Sequence, residues 1–269
     1  MIKLIAIDLD GTLLDGKKRI SERNKQALQQ AKAQGVKVVL CTGRPLRAIE
    51  PFLHELELQD EGDYSITFNG GLVQKNDTGE VMERATLEVS DVQSLVALAE
   101  ELDLPMDVLS HDTVIILDPS KNHKTLYPEL SPLLHRETAK VADLPADRLY
   151  NKVVVGYHKD YLDEQIQKIP ATVREQYEVI KTRDNLLEFM PKGITKAYGI
   201  SLLAKDLGIE QEEVMCIGDE ENDLPMIEYA GIGVAMANAI PRVKEIADVV
   251  TDSNEEDGVA KVVEKYVLR

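Results

Sequence analysis

Short apolar runs of strand length recur in the first and last thirds of the chain, and each stops abruptly in polar residues. Residues 4–7 (Leu-Ile-Ala-Ile) run into Asp8-Leu9-Asp10-Gly11-Thr12, and residues 36–40 lead to Cys41-Thr42-Gly43-Arg44-Pro45. Residues 64–68 end at Asn69-Gly70-Gly71, and residues 214–217 at Gly218-Asp219-Glu220-Glu221-Asn222-Asp223. Continuous apolar runs of this length read as buried parallel strands. Helical segments alternate with them. Ser21 caps one running to about residue 34 with Gly35 as its stop, Pro45 opens another to about residue 58, and Thr195 caps a third over 196–207. Strands near 232–234 and 249–251, a helix after Pro241 and a closing helix from Gly258 complete the alternation. The pattern predicts an α/β fold of right-handed βαβ units around a Rossmann-like parallel sheet.

The rhythm changes near Glu83. Ser90 is placed to cap a helix over 91–102 whose apolar side carries Val92, Leu95, Val96, Leu98, Ala99 and Leu102. Runs at 106–109 and 114–117 flank Ser110-His111-Asp112-Thr113 and predict a hairpin. Residues 119–147 have scattered prolines and weak periodicity, and no element is assigned there. Strands at 153–157, 177–181 and 186–190 and a helix around 161–168 follow. The expected organisation is a discontinuous core, residues 1–83 and 190–269, interrupted by an α+β insert, residues 84–189, large enough to be a domain of its own.

Composition narrows the function. The chain has 269 residues, 43% of them hydrophobic, with 48 Asp plus Glu against 31 Lys plus Arg, a formal net charge of −17. That balance opposes non-specific nucleic-acid or anionic-membrane binding, which depend on basic patches, and suits a divalent cation as the local positive charge. The two cysteines, Cys41 and Cys216, each lie beside an apolar run and read as reduced core thiols. No apolar run approaches membrane-spanning length, and the opening one is too short for a secretory signal. A cytoplasmic protein, monomeric or homodimeric, is expected. The histidines lack zinc-ligand spacing, and 219–224 is not an EF-hand loop because Leu224 occupies the glycine position.

The polar strand ends and helix starts are where chemistry concentrates. In an open parallel sheet the strands' carboxyl ends share one edge, so Asp8/Asp10, Thr42/Gly43, Lys196 and Asp219/Asn222/Asp223 converge. Each feature has a plainer reading alone. Thr42 can cap the next helix, Lys196 can be a solvated lysine, Asp8-x-Asp10-Gly11 can be a turn, and 219–223 can be an acidic helix start. Their coincidence on one edge favours a site.

These same residues resemble a known family. Asp8-Leu9-Asp10-Gly11-Thr12, Thr42-Gly43-Arg44-Pro45, Asn69-Gly70, Lys196, Gly218 to Asp223 and Val234-Ala235-Met236-Ala237-Asn238-Ala239 are similar to the motifs of haloacid dehalogenase superfamily phosphatases, in particular the Cof-type sugar phosphatases. The insert resembles that family's α/β cap of the C2 type in position and size. One departure is Ala197, where these proteins usually carry Gly after the lysine. The resemblance implies an Mg²⁺-dependent phosphatase for small phosphorylated metabolites, most of all sugar phosphates. Asp8 would be the nucleophile, forming an aspartyl-phosphate, and Asp10 the acid–base for the leaving group and then for water. Asp8, the Asp10 carbonyl and Asp219 would hold the metal with Asp223 in support. Leu9, Thr42, Gly43, Lys196 and Asn222 would bind the phosphoryl oxygens. Arg44 and Asn69 are candidate substrate contacts, and His111, Asp112, His123, Lys124, Tyr127 and Arg183 weaker ones on an insert that closes over the site. A phosphomutase or phosphotransferase using the same intermediate, and a non-catalytic phosphate sensor, are the alternatives.

Overall fold

A computed structural model describes residues 1–117 and 119–268. The chain folds as two compact units, Met1–Arg84 with Thr195–Arg269, and Ala85–Ile194. Strands and helices are numbered along the chain.

The first unit is built on an eight-stranded sheet. Its strands are β1 (Leu4–Ile7), β2 (Lys37–Cys41), β3 (Tyr64–Thr67), β4 (Leu72–Lys75), β5 (Val81–Arg84), β12 (Val214–Gly218), β13 (Ile232–Ala235) and β14 (Val249–Val250). They lie in the order β14-β13-β12-β1-β2-β3-β4-β5. β1 is central, parallel to β12 with Leu4 opposite Val214 and to β2 with Leu4 opposite Lys37. Every residue of β1 is fully buried, as expected of a strand covered on both faces. The helices of this unit are α1 (Glu22–Ala33), α2 (Glu50–Glu55), α7 (Lys196–Asp206), α8 (Leu224–Tyr229), α9 (Pro241–Ile246) and α10 (Gly258–Tyr266). Ser21 caps α1 by accepting the Asn24 N–H, and Thr195 caps α7 by accepting the Tyr198 N–H. Asn24 Oδ1 in turn accepts the Ala260 N–H, tying α1 to α10 through a buried bond of 2.8 Å.

Two departures from the expected pattern have local causes. The helix expected over 45–58 is broken into a 3₁₀ turn, Leu46–Ala48, and the short α2. Pro51 lacks an N–H and is accommodated only in a first turn, so the helix restarts there. The sheet is also not parallel throughout. β3 and β4 are antiparallel, with Thr67 opposite Leu72, because the link between them is far too short for a crossover.

The second unit has α3 (Val89–Leu102), β6 (Met106–Ser110), β7 (Thr113–Ile116), α4 (Tyr127–Leu130), β8 (His135–Thr138), β9 (Lys152–Gly156), α5 (Lys159–Ile166), α6 (Ala171–Gln176), β10 (Tyr177–Arg183) and β11 (Leu186–Pro191). The sheet order is β10-β11-β9-β6-β7-β8, antiparallel except where β7 meets β8. One face is apolar. Met106, Val108, Val153, Val155, Leu187 and Phe189 form a core with Val92, Leu95, Val96 and Ala99 of α3. The opposite face buries charge, including an ion pair between Lys152 and Glu188. The helix expected to be capped by Ser90 begins earlier, at Val89, in a capping box where the Glu88 and Asp91 side chains and backbones bond reciprocally. Two elements with no sequence signal lack a buried residue: all four residues of β8 are exposed, and α6 has none buried. Among the described residues no helix is long and apolar enough to cross a membrane.

Candidate active site

The carboxyl ends of β1, β2 and β12 lie side by side, and the start of α7 supplies a lysine to the same edge. Asp8 follows β1, with its N–H bonded to the Ile217 carbonyl of β12 at 3.0 Å. Lys196, wholly inaccessible to solvent, places its Nζ 2.5 Å from Asp8 Oδ1 and 2.6 Å from Asp223 Oδ1. Asp223 Oδ2 accepts the N–H groups of Asp219 (2.8 Å) and Glu220 (2.9 Å), so this carboxylate folds back on its own loop while also holding the lysine. Asp219 Oδ1 accepts the Thr12 hydroxyl at 2.6 Å. Its other oxygen crowds Gly11, where a Cβ would stand 2.2 Å away and where φ is +88°. Only glycine meets both demands.

Asp8, Asp219 and Asp223 thus offer carboxylate oxygens within 4.8 Å of one another, all buried. Against three acids stands one ammonium. Burial pushes Asp8 up to about 7, with Lys196 opposing the rise and Asp223 adding to it. Burial, and then the charges of Asp8 and Asp223, push Asp219 up to about 9. Lys196 moves the other way from a buried amine: burial opposes its charge, but Asp223 and Asp8 hold it protonated above the ordinary lysine range. A cluster of oxygen donors short of positive charge fits a hard divalent cation such as Mg²⁺. Neither cysteine contributes, since burial raises both thiols and keeps them protonated.

The other expected residues sort into two groups. Thr42 sits at the end of β2 in the same layer, buried, its N–H on the Ile66 carbonyl (2.9 Å) and its Oγ1 accepting the Arg44 N–H (3.2 Å). Leu9, on the same loop as Asp8, is fully buried. Asn222 donates to Asn69 Oδ1 at 3.1 Å. The Asp10 carboxylate stands outside the acidic triad. Arg44 donates to both its oxygens (Nε to Oδ2, 2.9 Å; Nη2 to Oδ1, 2.7 Å), and Lys18 Nζ adds a bond of 2.7 Å. Arg44, expected as a substrate contact, is therefore engaged with Asp10 in this structure. Asn69, expected in the same role, is 1% exposed.

Of the candidates in the insert, His111 occupies a left-handed turn position (φ 54°) with its N–H on Asn151 Oδ1. Asp112 lies 3.5 Å from His135, His123 Nδ1 is 2.9 Å from the Tyr157 hydroxyl, and Tyr127 is buried. Arg183 closes β10, and Lys124 lies in the segment before α4. Sequence reasoning assigned no part to Lys18. It is one cation in a Lys-Lys-Arg stretch, and only the left-handed turn at Lys18 (φ 60°) returns it to Asp10. The Asn238 amide donates to the Gly11 carbonyl at 2.7 Å and so braces the loop that carries Asp10.

The sequence profile of the haloacid dehalogenase-like hydrolases matches residues 5–263. YxeH of Bacillus subtilis (strain 168), a candidate phosphatase, is 43% identical over 268 residues, covering 100% of this chain and 99% of that protein. The 5-amino-6-(5-phospho-D-ribitylamino)uracil phosphatase YcsE of the same organism is 34% identical, with 99% and 96% covered. Among solved structures, a haloacid dehalogenase-like hydrolase from Bacteroides thetaiotaomicron superposes with a TM-score of 0.84 at 31% identity, over 98% of this chain and 99% of that one. The subclass IIB sugar phosphatase BT4131 gives a TM-score of 0.82 at 27% identity, over 99% and 100%.

Proposed function

This chain belongs to the haloacid dehalogenase-like hydrolase family, and from that premise we propose that it is a phosphatase of small phosphate monoesters, sugar or polyol phosphates foremost. One observation carries the reading: Asp8, at the end of the central strand, is held between the Lys196 ammonium and two further buried carboxylates, with Asp10 two residues on. The named activities of similar proteins, a ribityl phosphate phosphatase and a sugar phosphatase, support the substrate class.

In this mechanism an Asp8 oxygen attacks phosphorus, the ester oxygen leaves, and an aspartyl-phosphate forms. One difficult displacement becomes two easier ones. Lys196, the Thr42 hydroxyl and the Leu9 and Gly43 N–H groups bind the transferring oxygens as charge shifts onto them. Asp10 gives a proton to the departing alkoxide, then takes one from the water that releases phosphate from Asp8. Without substrate, Arg44 and Lys18 hold the Asp10 carboxylate, which must leave these cations and take up a proton before it can act as the acid. Asn222 orients a phosphoryl oxygen. Mg²⁺, held by Asp8, Asp219 and the Asp10 carbonyl with Asp223 in support, would supply the positive charge that lets a phosphate dianion approach a carboxylate.

The test is phosphate release across sugar phosphates, nucleotides, phosphoglycolate and pyridoxal phosphate, with Mg²⁺ and with chelator. Release from hexose or pentitol phosphates that chelation abolishes is expected. No release from any ester would overturn the proposal, and release indifferent to chelation would remove the metal from it.

The pair of raised carboxyls gives a second expectation. Between the ordinary carboxylate range near 3.8 and values of about 7 and 9, the folded protein keeps protons that the unfolded chain has lost. Stability of the cation-free protein therefore falls as pH rises through that window. Mg²⁺ competes with those protons, so it should raise the melting temperature more at pH 8 than at pH 5.5. Thermal unfolding at both pH values, with and without Mg²⁺, measures this. An equal shift at the two would separate metal binding from these acids.

A further inference from the structure

The link between β3 and β4 is built in an unusual way. Phe68 (φ 52°), Asn69 (φ 53°) and Gly70 (φ 98°) are left-handed in succession. Asn tolerates that region and Gly is at ease in it, but a buried Phe is there against its steric preference. Strain of this kind, of order 1–3 kcal/mol per residue, persists only where surrounding contacts over-determine it.

Those contacts reach three of the segments that make the phosphate site. The Asn69 N–H donates to the Thr42 carbonyl at 2.9 Å, and the Asn69 amide lies so close to Gly43 that a Cβ there would sit 3.0 Å from Nδ2. Asn69 Oδ1 accepts the Asn222 amide at 3.1 Å. At Gly70 a Cβ would fall 1.9 Å from the carbonyl of Thr195, the cap of the helix that begins with Lys196. The turn therefore touches the Thr42–Gly43 loop, the Asn222 loop and the start of α7 at once, from a position almost closed to solvent.

We infer that Asn69 is a positioning residue, not a substrate contact: it sets the Asn222 amide and the Thr42–Gly43 backbone relative to each other, and the strained turn fixes both against Lys196. The inference rests on the phosphate site proposed above and adds how that site is held in register. It has a consequence that a packing role lacks. Asn69→Gly removes the amide while easing the backbone, so folding and phosphate binding should part company.

Three variants, Asn69→Gly, Asn222→Ala and the double variant, are compared with the full wild-type chain. Thermal unfolding reports stability, calorimetry with inorganic phosphate and Mg²⁺ reports affinity, and p-nitrophenyl phosphate turnover reports catalysis. Asn69→Gly should melt no lower than wild type yet bind phosphate and turn over about 10- to 100-fold more weakly, the loss expected of a displacement near 1 Å. Because the Asn69 backbone bond to Thr42 survives in the Gly variant and its amide accepts from Asn222, the lost function runs through Asn222, and the double variant should be within about threefold of Asn222→Ala. An Asn69→Gly variant of normal affinity, a melting temperature that falls along with it, effects that multiply in the double variant, or a wild type that binds no phosphate would each overturn the inference. Wild-type turnover of the ester judges the proposed hydrolysis separately. A protein that binds phosphate through this coupling but releases none from esters would keep the inference and lose the phosphatase.

Discussion

Asp8→Asn should abolish phosphate-monoester turnover, lowering kcat on the order of 10⁴-fold or more, the scale seen when a nucleophile is removed from a site that otherwise stays assembled. The carboxamide fills the same volume and can still accept from Lys196, but it cannot form an acyl phosphate. Stability should move little, and not downward by much. Burial already pushes the Asp8 carboxyl up to about 7, so the folded state disfavours its charge, and a neutral isostere removes that penalty along with part of the Lys196 attraction. Asp10→Asn should lower kcat by about 10²–10⁴-fold, the share of a general acid–base. Its loss should also be smaller for esters with good leaving groups, which need little proton donation. Steady-state phosphate release paired with thermal unfolding measures all of this. A folded Asp8→Asn protein with near-normal turnover would end the nucleophile assignment.

Much of the core was readable because its central strands β1 and β12 are buried on both faces and therefore apolar throughout. The runs ending at Asp8, Thr42 and Gly218 coincide with β1, β2 and β12, and Ser21 and Thr195 do cap their helices. The insert was less legible for the matching reason. β8 is exposed throughout and α6 offers only the part-buried Val173 to the core, so periodicity cannot mark them. Lys152 and Glu188 were invisible as a pair, since their meeting depends on β9 and β11 being neighbours although α5, α6 and β10 lie between them in sequence. At the site, residue types at strand ends were sufficient to nominate Asp8, Lys196, Asp219 and Asp223. They could not show that Asp10 points away from that triad toward Arg44 and Lys18, because a main-chain turn at Lys18 decides it. Nor could they show that Asn69 is enclosed, which follows from positive φ at Phe68 and Asn69.

Lys196 is where catalysis and stability are most tightly joined, and Lys196→Met separates them. Methionine nearly matches the lysine stem but leaves Asp8 and Asp223 facing each other, buried, without the ammonium that sits 2.5 and 2.6 Å from them. Breaking a buried pair in this way typically costs about 3–5 kcal/mol, because a charge remains uncompensated. The two acids can escape that cost by taking up protons. With the lowering influence of Lys196 gone, Asp8 should titrate still higher than about 7, and the deficit in melting temperature should be slight at pH 5 and grow toward pH 8. Mg²⁺ should recover part of the lost stability at pH 8 by restoring positive charge among the carboxylates. It should not restore turnover, since in the proposed mechanism the phosphoryl oxygens have lost the Lys196 donor, a loss on the order of 10²–10³-fold. Lys196→Arg should fare no better, because the bulkier planar fork cannot take the place of one compact ammonium packed 2.5 and 2.6 Å from two separate carboxylates. Unfolding curves at both pH values with and without Mg²⁺, beside kcat for one sugar phosphate, distinguish the two roles. If Mg²⁺ returned activity together with stability, Lys196 would be only a counter-charge for the acids, and its place on the phosphate would have to be given up.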